Sequence, residues 1–174
     1  IRKPHATTVT RYLVDGKPKA EVTILSSFIK RKTAGSNKKF SKVRDLWTAE
    51  DFNGEAVDAW LDKHHEMKEH PDAGDVATRY EVNRIQDFNA ADFVYFKNFI
   101  RIAKAAEWIE NRGKPTQLNF ERSCFFYGNV DDGDTVDAKV NRGGGELQTT
   151  LHADDGRRIF LTLSKVRDVE IPIR

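Results

Sequence analysis

The segment from Arg84 to Trp108 constrains the fold more than any other part of this chain. It opens with strand-like residues, is interrupted at Asp87-Phe88-Asn89, and continues as a predicted helix over roughly residues 89–111. Apolar residues occupy most of the circumference of this helix rather than one stripe: Phe93, Val94, Phe96, Phe99, Ile100, Ile102, Ala103, Ala106 and Ile109. A helix that is apolar on nearly every side must be buried on nearly every side. We therefore expect a sheet to wrap around it.

The residues after this helix read as a series of short strands separated by turns. The predicted strands span 117–130, 135–141, 146–153, 157–165 and 168–173. Turns are predicted at Asp132-Gly133, Gly143-Gly144-Gly145 and Asp155-Gly156. With a strand expected over 76–86, the order is strand, long helix and antiparallel meander. This order predicts an α+β hot-dog fold, in which an antiparallel sheet wraps a long central helix.

The first 76 residues do not contain enough strands for a second complete domain of this kind. A hairpin is predicted over 7–31, because β-branched and aromatic residues flank Asp15-Gly16, and a lone hairpin is only marginally stable. We interpret residues 1–44 as the last strands of a preceding hot-dog half followed by a flexible basic linker. Residues 45–76 are interpreted as a linker with a helix over 48–69, capped by Thr48. Residues 77–174 would then form one complete hot-dog domain, in a chain that starts inside something larger.

Composition excludes several classes of protein. The net charge of +2 over 174 residues gives no reason to expect nucleic-acid binding. One cysteine, Cys124, excludes an intrachain disulfide framework, so a reducing compartment, the cytoplasm, is expected. No run reaches the roughly 18 apolar residues that a membrane span needs.

Two segments resemble the hot-dog acyl-thioester enzymes. They are IQDFNAADFVYFKNFIR, residues 85–101, and FFYGNVDDGDTVDAKV, residues 125–140. Within that superfamily they are most similar to the double-hot-dog bifunctional acyltransferase/decarboxylases of polyketide biosynthesis. The resemblance implies decarboxylation of a malonyl-type thioester coupled to acyl transfer. Alternatives on the same fold are a thioesterase, a dehydratase, and a non-catalytic half that supports a partner.

The same resemblance implies the ligands and partners. The substrate would be a thioester of coenzyme A or of the phosphopantetheine of an acyl carrier protein, and no further cofactor is expected. The partners would be acyl carrier protein, the missing N-terminal hot-dog half in the same or another chain, and a second copy in a homo-oligomer. The nucleophile that accepts the acyl group would lie in the missing half.

Asn89 and Asp92 are the predicted catalytic residues. The resemblance aligns Asn89 with the carboxylate of the thioesterase branch, and an amide cannot act as a general base near neutral pH. It can still orient a thioester carbonyl or a water molecule. One interpretation makes Asn89 the helix N-cap with Asp92 completing a capping box; the other uses the N–H groups of the helix N-terminus to polarise the carbonyl. The two are compatible.

Four further residues are predicted to bind substrate. Tyr95 could donate a proton if it faces a cavity, although a tyrosine here is more typical of a core. Asn98 is a polar residue among apolar ones, and its alternative role is to tether the helix through hydrogen bonds. Arg31 and Lys32 belong to a basic cluster that could bind coenzyme A phosphates or an acidic carrier protein, or simply be solvated. The histidines at 64, 65 and 70 lack metal-binding spacing, so no metal is expected.

Overall fold

A computed structural model of the chain describes residues 5–27, 29–43, 54–72, 74–112 and 117–168. The chain divides into two compact units. The first comprises Ile1–Ala34 and Lys39–Glu66, and the second comprises Gly35–Lys38 and Met67–Arg174. None of the helices described is long and apolar enough to cross a membrane.

The first unit contains a two-stranded antiparallel hairpin. Strands β1 (His5–Val14) and β2 (Lys17–Ser27) pair on either side of Asp15-Gly16. Both turn residues have positive φ angles, 52° at Asp15 and 72° at Gly16, as a two-residue hairpin turn requires. The predicted hairpin is confirmed, although β2 ends at Ser27. That these strands close a preceding hot-dog half stays a prediction.

Residues 32–43 do not form the flexible linker that the basic composition of residues 32–44 predicted. Strand β3 (Ile29–Arg31) pairs with strand β4 (Phe40–Lys42) across this segment. Between these strands, Asn37 is only 2% exposed and belongs to the second unit. Strand pairing and burial of Asn37, rather than charge, therefore decide the structure of this segment.

Helix α1 (Gly54–Lys68) lies within the predicted helical range 48–69. It ends just before His70-Pro71, as the sequence predicts, because proline cannot continue a helix. The predicted cap, Thr48, lies outside the described residues.

The second unit is a five-stranded antiparallel sheet with a long helix packed on it. Its elements are β5 (Val76–Glu81), α2 (Arg84–Asp87), α3 (Phe96–Glu110), β6 (Gln117–Phe126), β7 (Thr135–Gly143), β8 (Glu146–Ala153) and β9 (Arg158–Asp168). The strand order across the sheet is β5-β7-β8-β9-β6, and every neighbouring pair is antiparallel. Helix α3 contacts β5, β7 and β8. This is the predicted α+β hot-dog arrangement. Of the predicted last strand, 168–173, only Asp168 is described, as the end of β9.

The core lies between α3 and the sheet. Phe99, Ile102, Ala103 and Ala106 of α3 are each at most 2% exposed. Phe99 stacks on Phe160 of β9 with ring centroids 6.1 Å apart. The central strand β8 is buried at every position from Leu147 to Ala153, so both faces of the sheet are covered there.

Helix α3 begins later than the sequence predicted. The predicted strand 76–86 ends at Glu81, because the Asn83 side chain accepts a hydrogen bond from the Ile85 N–H and starts the short helix α2. A loop then runs to Tyr95, so α3 starts at Phe96 rather than near residue 89. Side-chain hydrogen bonds to the backbone thus replace the helical bonds that the apolar pattern suggested.

Helix α3 is also not covered on every side within the described part of the chain. Trp108 is 63% exposed, Phe96 45% and Tyr95 36%. The sheet packs along α3 as predicted, but the expectation that the helix is buried on nearly every side was wrong for these three residues. One sheet of five strands covers only the face of α3 turned towards it.

His152 lies at the centre of a polar cluster on the sheet face opposite to α3. It is 5% exposed, and its Nε2 lies 2.8 Å from a carboxylate oxygen of Asp72, an electrostatic contact whose angles fall short of a hydrogen bond. Asp72 also pairs with Arg158, which donates to the carbonyls of Met67 and Lys68. Burial lowers the pKa of His152 below its usual value of 6.5; Lys139 and Arg158 add to this, and Asp72 opposes it.

We expect the free energy of unfolding to fall as the pH is lowered from about 7.5 to about 5.5, with a slope of up to about 1.4 kcal/mol per pH unit from His152. The folded chain binds this proton more weakly than the unfolded chain, so acidification stabilises the unfolded state. Urea titrations at several pH values measure the slope. His152→Gln should flatten it, whereas His65→Gln, which changes an exposed histidine of α1, should not. An undiminished slope in His152→Gln would contradict this assignment.

Candidate functional site at the start of helix α3

The loop between α2 and α3 is a closed turn built on Asn89. Phe88 and Val94 form an isolated antiparallel bridge, and the Asn89 N–H donates to the Phe93 carbonyl at 2.8 Å. The Asn89 Oδ1 accepts hydrogen bonds from the N–H groups of Ala91 (3.0 Å) and Phe93 (3.1 Å). Asn89 was predicted to be the N-cap of α3. It instead shapes the loop that precedes this helix.

Asp92 lies in the same loop and does not complete a capping box. Its φ angle is +61°, a conformation that aspartate tolerates better than most residues. Its carboxylate lies 2.7 Å from the Arg84 guanidinium, and its side chain is 38% exposed. The Asp92 N–H donates to the Asn89 carbonyl at 2.9 Å. The two predicted catalytic residues are thus held together in one solvent-accessible loop.

Tyr95 is the N-cap residue that precedes α3. Its backbone N–H donates to the Asp87 carbonyl at 2.8 Å, but its side chain makes no capping hydrogen bond. The Tyr95 ring is partly exposed and contacts the ring of Phe96 edge-on, with centroids 4.6 Å apart. The first turn of α3 therefore has no side-chain cap among the described residues.

Asn98 tethers α3 to the end of α2. It is 5% exposed, and its Nδ2 donates to the carbonyls of Gln86 (3.2 Å) and Asp87 (2.9 Å). This geometry matches the tethering role considered from the sequence, with α2 rather than the sheet as the partner. We refer to residues 87–98 as the α3 entry.

Sequence reasoning missed the most buried charge of the entry, Asp87. Its carboxylate is 0% exposed and accepts hydrogen bonds from Tyr80 Oη (2.9 Å), the Asn83 N–H (2.8 Å) and Arg101 Nη2 (2.7 Å). Arg101 also donates to Tyr80 Oη. With three donors and no access to solvent, Asp87 organises the entry rather than reacting. The spacing of Asn83 and Asp87 could have indicated this role, because it suits a carboxylate that binds the N–H groups of a turn.

Two more asparagines, which sequence reasoning also missed, hold the loop through hydrogen bonds from outside it. Asn129 accepts from the Val94 N–H at 3.1 Å and donates to the Val94 carbonyl at 3.2 Å. Asn37 donates through Nδ2 to the Asp92 carbonyl at 2.8 Å, and its own N–H donates to Asp131 at 2.6 Å. These hydrogen bonds anchor the loop to two other parts of the second unit.

The remaining predicted residues have separate outcomes. Arg31 and Lys32 belong to the first unit, so their contact with substrate stays a prediction. Lys38, from the same basic cluster, pairs with Asp134 at 3.3 Å in the second unit.

No group of three or more histidine, cysteine, aspartate or glutamate side chains suited to a metal ion occurs in the described ranges. Burial raises the pKa of the Cys124 thiol, as expected for an unreactive cysteine.

The α3 entry combines hydrogen-bond donors with one accessible carboxylate. The donors are the carboxamide of Asn89 and the backbone N–H groups at the positive end of α3. The carboxylate is that of Asp92. Each of these donors can bind an anionic or polarised oxygen, and the carboxylate can accept a hydrogen bond from water.

No family model matches this sequence, and no curated protein matches it. Among solved structures, the PaaI protein of the phenylacetic acid degradation operon of E. coli is similar at 16% identity and a TM-score of 0.47, covering 66% of this chain and 95% of that one. A Streptococcus mutans protein bound to acetyl CoA shares 11% identity over 52% of this chain and 77% of that one, with a TM-score of 0.46.

A 1,4-dihydroxy-2-naphthoyl-CoA thioesterase from Synechocystis shares 13% identity over 55% of this chain and 82% of that one, with a TM-score of 0.43. At identities of 16% or less and TM-scores below 0.5, these likenesses do not transfer a substrate or a reaction to this chain.

We expect Asp87→Asn to lower the free energy of unfolding by about 1–3 kcal/mol, because one of its buried donors loses its acceptor. Urea denaturation measures the change. The matched control is Asp137→Asn, which removes the same charge from a pair with Arg79, whose side chain is 67% exposed; a loss below about 1 kcal/mol is expected there. Equal losses in the two variants would show that Asp87 has no special structural role.

Proposed function

We propose that this chain is a hot-dog enzyme that acts on acyl thioesters, and that the thioester group binds at the α3 entry. The observation that carries the proposal is the solvent-accessible loop in which Asn89 and Asp92 are held together beside the start of α3. The acyl group would be carried on coenzyme A or on the phosphopantetheine of an acyl carrier protein, in line with the sequence resemblance.

The donors of the entry suit the charge that develops in thioester chemistry. Negative charge accumulates on the thioester oxygen when water attacks the carbonyl carbon and also when carbon dioxide leaves a malonyl thioester. The Asn89 Oδ1 is engaged by two backbone N–H groups, which leaves the amide nitrogen to act as a donor. One well-placed donor of this kind contributes about 10²–10³-fold to the rate.

Hydrolysis is the first candidate reaction, with Asp92 as the base that activates water. Asp92 is the one carboxylate in residues 88–95. Its contact with Arg84 is an exposed ion pair, since the Arg84 side chain is 59% exposed, and such pairs contribute only about 0–1 kcal/mol. The Asp92 side chain is itself 38% exposed, so water reaches its carboxylate. The carboxylate would accept a proton as the water oxygen attacks the thioester carbon and the thiolate leaves.

Decarboxylation coupled to acyl transfer is the second candidate, and the amide at position 89 favours it. Loss of carbon dioxide from a malonyl-type thioester needs no general base. The carbon–carbon bond breaks, and its electron pair moves into the thioester enolate, which hydrogen-bond donors stabilise. The group that then accepts the acyl chain would come from the other hot-dog half.

A second hot-dog domain is the proposed partner of the exposed face of α3. Phe96 contacts Tyr95 on one side and Phe126 of β6 on the other, with ring centroids 4.6 and 6.4 Å apart. All three rings are at least 36% exposed. Adjoining exposed aromatic rings are a typical element of a protein–protein contact.

We expect the full chain to release free thiol from at least one member of a panel of acyl-coenzyme A thioesters, and Asp92→Asn to lower that rate about 10²-fold or more, because the base is lost. Asparagine keeps the size of the side chain and tolerates the positive φ angle. Thiol release is followed with a chromogenic reagent, and carbon dioxide is measured in parallel with malonyl-coenzyme A.

The matched control is Asp132→Asn, which removes a carboxylate that also contacts Arg84, 3.5 Å away, but lies outside the entry. It should retain nearly full activity. Carbon dioxide release that survives Asp92→Asn would favour decarboxylation over hydrolysis. Absence of both products with every thioester tested would contradict an enzymatic role and leave a supporting one.

Asn89→Asp should lower the rate of thioester hydrolysis by about 10²-fold or more, because it replaces the donor amide with a carboxylate that repels the developing negative charge. An aspartate oxygen can accept the same two hydrogen bonds from Ala91 and Phe93, so the loop should keep its shape. Asn89→Ser can also bind those N–H groups but carries no charge, so it should lose less activity. A folded Asn89→Asp variant that is as fast as the unsubstituted chain would show that this position does not face the thioester oxygen.

A further inference from the structure

A second concave site lies at the opposite end of α3. It is a pocket of about 240 Å³ whose walls come from α3, from β6 and from the β7–β8 hairpin. Its lining residues are Lys104, Glu107, Trp108, Asn111, Asn119, Arg142 and Leu147. Glu107 lies twelve residues after Tyr95, which corresponds to about 18 Å along a helix. The pocket is therefore separate from the α3 entry.

The charge of this pocket is positive despite the presence of Glu107. The Glu107 side chain is nearly buried, and both of its oxygens are engaged: Oε2 by Arg122 at 2.6 Å and Oε1 by the Thr149 hydroxyl at 3.1 Å. Its charge is thus balanced by Arg122. Lys104 and Arg142 remain as cations on the walls, so the pocket attracts an anion.

Arg142 is fixed on the pocket wall by a hydrogen bond within the protein. Its Nη2 donates to the Asn111 side-chain oxygen, which holds the guanidinium against the end of α3. A guanidinium that is already held in place loses little side-chain entropy when it binds a carboxylate.

The size and the apolar walls define the rest of the ligand. A volume of about 240 Å³ accommodates a small ring with one acidic group. Leu147 is 5% exposed and Trp108 is 63% exposed, so one wall is aliphatic and another is an indole ring. The Arg112 guanidinium lies over this ring, 4.2 Å from its centroid, and the rest of its exposed surface can pack against an aromatic ring. We propose that this pocket binds a small aromatic carboxylate, with the carboxylate held by Arg142 and Lys104 and the ring between Trp108 and Leu147.

Calorimetric titration of the full chain with benzoate tests the proposal. Saturable one-to-one binding is expected, with a dissociation constant on the order of 0.1–1 mM for a ligand of this size. Benzamide, which has the same shape without the charge, should bind at least about 10-fold more weakly. Inorganic phosphate, which has the charge without the ring, should also bind at least about 10-fold more weakly. Equal binding of either probe would overturn the assignment of ligand class.

Arg142→Gln and Lys104→Gln should each weaken benzoate binding by about 10-fold or more. Lys104 is exposed on α3, so its variant tests the site even if Arg142→Gln does not fold. The control is Arg79→Gln, which removes the same charge from an exposed position of β5 and should leave binding unchanged. Binding that is unaffected by both pocket variants, or no saturation with benzoate, would refute the site. Thioester turnover is not used as a readout, so the outcome is independent of the proposed function.

Discussion

The buried carboxylate of Asp87 is the interaction on which the geometry of the second unit depends. It joins the end of β5 through Tyr80, the turn before α2 through Asn83, and the second turn of α3 through Arg101. The direction in which α3 leaves this corner determines where Phe99 and Ile102 meet the sheet. A charge with no solvent contact is stable only when such donors surround it, so the corner can adopt few other conformations.

The parts of the fold that the sequence could predict depend on local chemistry. The turns at Asp15-Gly16, Asp132-Gly133 and Asp155-Gly156 were found because glycine and aspartate accept backbone conformations that other residues avoid. Strand alternation then gave β7, β8 and β9 with errors of a few residues. The start of α3 was misplaced because Asn83 and Asn89 bind backbone N–H groups with their side chains, and hydropathy does not register such bonds. Hydropathy also predicted that the apolar residues of α3 are buried, but it did not indicate which part of the structure buries them.

The residues of the candidate site likewise fall into those that the sequence could identify and those that it could not. Asn89 and Asp92 could be identified because they interrupt an apolar pattern where a loop is needed. Asn37 and Asn129 could not, since their partners lie 35 to 94 residues away in the chain and nothing in the local sequence distinguishes them from surface asparagines. Asp87 was visible but was assigned to a strand break. The site was thus recognisable where its residues act locally and hidden where they act through tertiary contacts.

The two ends of α3 differ in the charged and polar side chains that surround them. At the entry, the side-chain oxygen of Asn89 stabilises the same turn that an aspartate would stabilise, but the side chain carries no negative charge. At the far end, Glu107 and Arg122 form a nearly buried ion pair beside a wall cation, Arg142. Apolar residues of similar volume would stabilise such a position at least as well. Stability alone therefore does not account for this ion pair, which balances the charge of Glu107 and leaves Lys104 and Arg142 to set the charge of the pocket.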